Sequence, residues 1–298
     1  MFHRPVRPIF ANGAARHGTR TLRPLGAGRA FRDRIGAGRA LFGPHLHRAA
    51  PRAVGHVRLL HATLRYGAKG TAALAVICLV VSNVFENIGV ATGFPFGPYF
   101  YTDALGPKLL YVPLLIGPAY FGVGYLAWAM GTILVGDVKR GADAVSTFAT
   151  PFIAAFIMVL WDLCMDPAAS TVGKWWIWEQ GGGFFGVPLS NYLGWFLTVY
   201  VFMQIFALYL RARGPEPEAP QPKGYFVQAI VMYALVALVF VLDHFVKGSE
   251  TVMDATGATW RSGDILETAA ITSLLTMMFV VALAAVKIAR EPGAQSAR

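Results

Sequence analysis

Five ionisable side chains stand in otherwise apolar stretches of this sequence: Glu86, Asp162, Asp166, Asp243 and His244. A charge at the centre of a membrane span costs about 2.5–3.5 kcal/mol on insertion scales, so each marks a candidate functional position. Asp162 and Asp166 are four residues apart and share a helix face, as do Ser82, Asn83, Glu86 and Asn87. Carboxyls gathered in a medium of low dielectric can divide into one that holds a proton and one that accepts it, which is what general acid–base catalysis needs. The competing reading is a set of interfacial residues in contact with water. It bears most on Asp166, which precedes Pro167, and on Asp243 and His244. Aromatic side chains are the second resource. Trp175, Trp176, Trp178, Phe184 and Phe185 lie in one loop and Phe94, Phe96, Tyr99, Phe100 and Tyr101 in another. Such rings favour membrane interfaces whatever their role, yet their faces also stabilise cations and would suit a reaction passing through a carbocation. Walker loops, GxSxG elbows, HExxH motifs and dinucleotide fingerprints are absent from the sequence.

The elements that must hold these residues are apolar helices. The chain has 298 residues, 55% hydrophobic and 14% charged, against roughly 25% charged in soluble domains. A soluble enzyme is thereby disfavoured. Six stretches are long enough to cross a hydrocarbon core of about 30 Å: 71–89, 109–135, 145–165, 191–210, 225–246 and 265–288. Period-two alternation is missing, so helices are the spanning form. The second stretch contains Pro113 and Pro118 and should kink, and Ala127 with Gly131 offers a small-residue contact. The expected fold is an all-α polytopic transmembrane bundle of about six spans.

Charge separates an N-terminal arm from this body. Residues 1–69 carry 14 of the 26 Lys and Arg against the single acid Asp33, whereas the remainder is slightly acidic. The formal charge of +10 therefore does not describe a nucleic-acid-binding body. The arm has a near repeat, Gly26 to Phe31 and Gly36 to Leu41, and reads as disordered, with Val54 to Tyr66 able to form a basic amphipathic helix on a membrane surface. His45, His47, His56 and His61 fall in the arm and read as part of a basic tail, with no metal expected. Cys78 and Cys164, both within apolar runs, suggest neither a disulfide nor a metal site. The expected organisation is an arm over 1–69, a transmembrane domain over 70–290 and a polar tail over 291–298. Lys and Arg divide 22 against 4 between alternate sides of the spans, which predicts an integral protein of the cytoplasmic membrane with both termini cytoplasmic. Glu86, Asp162, Asp166, Asp243 and His244 then all reach the outer end of the bundle.

Read together, the motifs resemble the membrane carotenoid-biosynthesis family of CruF-type carotenoid 1,2-hydratases and bisanhydrobacterioruberin hydratases. The resemblance covers about residues 80–200. It rests on the block from Glu86 to Thr102, on Leu105 to Lys108 with Val112 and Pro113, on Trp161 to Pro167, and on Gly186 to Trp195. Tyr120 departs from it, standing where the family leads one to expect Trp. The resemblance implies hydration of the terminal 1,2 double bond of an acyclic C40 or C50 carotenoid by acid catalysis, without a cofactor. Within it, Asp162 or Glu86 would give the proton, Asp166 would take one from water, Asn191 would orient that water and Lys108 would tune the acids. Trp175, Trp178, Trp195, Tyr99 and Tyr101 would surround the substrate. Water, membrane lipid and other carotenoid-biosynthesis enzymes are the implied partners, and nucleic acid is not. A membrane carotenoid cyclase, a proton-coupled carrier and a non-catalytic pigment- or lipid-binding protein remain open alternatives.

Overall fold

The structure, a computed structural model, describes residues 44–213 and 221–290, with side chains from residue 57 onward. The arm's repeat, the side chains of His45, His47 and His56, and the tail after 290 lie outside the described residues. The rest folds into a helical bundle: α1 (Pro44–Thr92), β1 (Tyr99–Tyr101), β2 (Lys108–Leu109), β3 (Val112–Pro113), α2 (Ile116–Leu134), α3 (Ala144–Val172), β4 (Trp176–Trp178), α4 (Leu189–Arg213), α5 (Lys223–Val246), β5 (Thr251–Met253), β6 (Thr259–Arg261) and α6 (Ser262–Arg290). Five of these helices, α1 (from Val57), α3, α4, α5 and α6, are long and apolar enough to cross a membrane. The chain is an integral membrane protein of the helical class expected.

The remaining long helix, α2, is the centre of the bundle, with 13 of its 19 residues buried. It is shorter than the 109–135 stretch predicted from hydropathy. Residues 108–113 instead form the small β2–β3 hairpin, and the helix begins only at Ile116. The small residues of α2 let its neighbours approach: a Cβ added to Gly131 would sit 2.9 Å from that of Ala154 on α3. On α3 the start is fixed by Asp143, whose Oδ1 accepts from the Ser146 N–H at 2.7 Å.

Residues 57–69, assigned to the arm by composition, are helical and packed. Gly67, at φ 62° and ψ 176°, breaks α1 into two helical pieces. The first piece is tied down by polar side chains rather than left on a surface. Arg65 is buried in an ion pair with Asp137 and lies over the rings of Tyr66, Tyr225 and Phe226. His61 bonds the Tyr125 phenol through Nδ1 and the Tyr225 carbonyl through Nε2, the latter at 2.9 Å.

Candidate active site

At the end of the bundle where α1 and α3 finish and α2 and α4 begin, two loops meet in an antiparallel ribbon. β1 pairs with β4, setting Tyr99 opposite Trp178, Phe100 opposite Ile177 and Tyr101 opposite Trp176. Side chains alternate across a strand, so Tyr99, Tyr101, Trp176 and Trp178 all turn inward and are buried, while Phe100 faces outward. The ribbon thus delivers two phenols and two indoles to one place.

The phenols go to Glu86, which is 2% exposed. Tyr99 and Tyr101 donate to its Oε2, Tyr101 at 2.9 Å, and Tyr120 from α2 donates to Oε1 at 2.7 Å. Burial, reinforced by the Glu86 carboxyl, holds the Tyr99 and Tyr101 phenols well above the usual tyrosine range, so they remain proton-bearing donors. The indoles go to Asp166, where Trp176 and Trp178 donate Nε1–H to Oδ1 at 2.9 and 3.2 Å. Asn191, near the start of α4, spends its amide on both aspartates: Nδ2 donates to Asp162 Oδ2 at 2.9 Å and to Asp166 Oδ2 at 2.6 Å. Asp162 and Asp166 are fully buried. Pro167 follows immediately, and α3 widens into π-helical turns over Pro167–Val172, where Ser170 Oγ donates back to the Asp166 carbonyl at 2.8 Å.

A cavity of about 440 Å³ opens between these groups. Its wall is apolar and aromatic, with Trp161, Trp175, Trp176, Trp178 and Trp195 around Glu86 and Asn191. Trp195 stacks on Tyr120 with ring centroids 4.3 Å apart. Phe96 is wedged between α1 and α4, where Cβ atoms added to Gly89 and Gly194 would each lie 2.6 Å from its ring. Of the three carboxyls only Glu86 lines the cavity; Asp162 and Asp166 lie behind Asn191.

The structure brings together Glu86, Asp162, Asp166, Asn191, Tyr99, Tyr101, Trp178 and Trp195. Trp175 stands at the rim, 43% exposed. Lys108 does not touch the carboxyls: its Nζ donates to the Tyr101 carbonyl at 2.8 Å and pairs with Asp103 at 3.1 Å. Asp243 and His244 do not line the cavity, and Asp243 pairs with Lys247 at 2.6 Å. Sequence reasoning missed two members. Tyr120, read as a departure, is a direct partner of Glu86, and Trp176 completes the Asp166 pair that Trp175 does not. The alternation of Tyr-Phe-Tyr and Trp-Ile-Trp was the signal for the second. No group of three or more His, Cys, Asp or Glu residues suited to hold a metal ion occurs among the described residues.

The described residues thus form a helical membrane bundle with an apolar cavity near one end and three buried carboxyls held there by donated hydrogen bonds. Residues 53–253 match the family described as carotenoid biosynthesis protein, and the chain belongs to that family. A bisanhydrobacterioruberin hydratase from Haloarcula japonica is 35% identical over 139 residues, covering 45% of this chain and 44% of that protein. The chain thus aligns with less than half the length of this relative. No solved structure matches it.

Proposed function

We propose that this protein is a carotenoid hydratase that adds water to the terminal 1,2 double bond of an acyclic carotenoid end group. The observation that carries this reading is the apolar cavity of about 440 Å³ with Glu86 on its wall and, also on its wall, the Asn191 amide that ties Asp162 to Asp166. The relative's printed name as a hydratase supports water, rather than an internal double bond, as the nucleophile.

The hydrogen-bond inventory supports a division of roles. Asp166 accepts from two indoles and an amide, which suits a carboxylate acting as base. Asp162 Oδ1 and Asn191 Oδ1 are buried with no partner in the structure. Two such acceptors are costly in an apolar interior, and a proton on Asp162 Oδ1 supplies the missing donor. Glu86, as the carboxyl on the cavity wall, takes the part of proton donor to the alkene, and the three phenols that donate to it stabilise the carboxylate left when its proton has gone. It protonates the less substituted carbon, the π pair forming the new C–H bond and leaving a tertiary cation on the neighbouring carbon. Faces of Trp161, Trp195 and Trp178 stabilise that cation. Water at Asn191 adds its lone pair to the cation and loses a proton to Asp166, for which the Asn191 side chain, standing between Asp166 and the cavity, has to turn aside. Return of one proton from Asp166 to Glu86 resets the site, so the balance is alkene plus water to tertiary alcohol. No redox step occurs and no cofactor enters. The basic loops support the orientation in which both termini are cytoplasmic and the cavity lies at the outer end, within a membrane domain that takes in residues 57–69 as well as 70–290. Other carotenoid-biosynthesis enzymes would act on the same pigment before or after this step.

Chromatography and mass spectrometry of pigments from a host making acyclic carotenoids and expressing this chain test the reading. A product heavier by one water, absent with Glu86→Gln or Asp166→Asn, is expected. An isomer of unchanged mass would replace hydration by cyclisation, and unaltered pigment despite good expression would leave the carrier or binding readings.

A further inference from the structure

Beside the active-site cavity lies a second one of about 350 Å³, bounded by α3, α5 and α6. The two share three wall residues, Trp161, Met165 and Trp175. From this common partition the second cavity follows a floor of small side chains, including Ala169 and Ala269, with Val236 and Phe240 as its opposite wall. It reaches the ion pair of Asp243 and Lys247, at 2.6 Å, on its boundary. Val239 at its edge is 51% exposed on a span, so this groove opens to the surface that faces lipid.

We propose that this groove seats the conjugated chain of the substrate beyond its reacting end, as a polyene subsite continuous with the catalytic cavity. The inference rests on the hydration reading above and extends it to the way a long substrate is held. Three observations carry it. The two cavities share a wall of one flexible thioether and two indoles, which can part around a flat chain. Both are predominantly apolar, and the catalytic cavity of about 440 Å³ has room for an end group while the remainder of a long polyene must leave it. Ala168, Ala169 and Ala269 line the groove, small side chains that leave room for a rigid extended chain, which loses little conformational entropy on binding. Another cavity, of about 360 Å³ near Val80 and Gly117, shares only Ile116 with the catalytic one, against three wall residues for the groove, which makes it the poorer continuation.

The test compares two substrates with the same terminal dimethyl-substituted double bond, a full-length acyclic carotenoid and a short acyclic terpene alkene, on purified protein in detergent. Ala269→Leu and, separately, Val236→Phe narrow the groove, and Val80→Phe obstructs the other cavity. Each variant is checked for elution volume and Tm. The ratio of carotenoid to short-alkene hydration should fall at least tenfold in both groove variants and stay at the wild-type value in Val80→Phe. Carotenoid retained through purification should fall with it, a readout that needs no turnover. An unchanged ratio and retention in folded Ala269→Leu and Val236→Phe would overturn the subsite, as would a fall confined to Val80→Phe. If the wild type hydrates neither substrate, the functional reading fails instead. Retention of pigment by the wild type and its loss in the groove variants would then still support the groove as a polyene site.

Discussion

Each of the three buried carboxyls is defined by what donates to it, and the donors separate their consequences. On the proposed mechanism, removing the ionisable group from Glu86 or Asp166 deletes the acid or the base, worth about a hundredfold to ten-thousandfold each in general acid–base catalysis. Glu86→Gln and Asp166→Asn should lose hydration by that order. Asp162→Asn should cost only about tenfold, because the new amide can donate to the unpartnered Asn191 Oδ1 as the protonated acid would. Equal losses at 162 and 166, measured as product per unit of folded protein, would show that Asp162 does more than hold a proton. Tyr120→Phe removes one of three phenols from Glu86, and a hydrogen bond to a charged group is worth about 1.5–3 kcal/mol. A tenfold to hundredfold fall in turnover is expected, with little change in pigment retained. The acids were legible in the sequence because charge inside an apolar run is expensive wherever it sits. Tyr120 was not, since a phenol in a span carries no such cost and its partner lies 34 residues away.

At the scale of elements, the site depends on close approach between helices and loops. In Gly194→Ala the new Cβ would meet Phe96 at 2.6 Å and the Pro95 carbonyl oxygen at 2.9 Å. Backbone as well as ring would have to move. The variant should lower Tm by several degrees and activity more than Tm, since the displaced Phe96 lines the cavity. The hairpin β5–β6 makes a pH-dependent prediction. Burial raises the Asp254 carboxyl, but hydrogen bonds from Thr256, Trp260 and the Ala258 N–H outweigh it and hold the group below its usual range. A depressed carboxylate stabilises the fold above its unfolded pKa and ceases to do so as pH falls through the folded one. Asp254→Asn should therefore lower Tm at pH 7 and make little difference near pH 2. Hydropathy found the spans but misplaced the start of α2, because an apolar stretch with two prolines reads alike whether it is a kinked helix or a hairpin followed by one. It also grouped Asp243 with the site, since depth in a membrane says nothing about which helices are neighbours. The partition of Trp161 and Met165 stands between them.

For the whole molecule, the loops that build the site belong to one end of the bundle, while among the described residues Lys139, Arg140, Arg211, Arg213, Lys223, Lys287 and Arg290 fall at the opposite helix ends and connections. Single cysteines at Asp103 and at Lys139, in a chain lacking Cys78 and Cys164, should report this from opposite sides. A membrane-impermeant maleimide added to intact cells should label position 103 at once and position 139 only after lysis. The reverse pattern would invert the topology and put the cavity at the cytoplasmic end. Composition alone assigned residues 57–69 to a loose arm, although Arg65 and His61 are buried there. Their partners, Asp137, Tyr125 and Tyr225, are too distant in sequence for any local pattern to announce them.

The β1–β4 ribbon makes both sets of hydrogen bonds depend on register. A slip of one residue in β1 would turn Phe100 inward and carry the phenols away from Glu86, and the same slip in β4 would turn Ile177 inward and carry the indoles away from Asp166. Lengthening one loop by a single residue next to its strand would thus strip one carboxyl of its donors and leave those of the other in place.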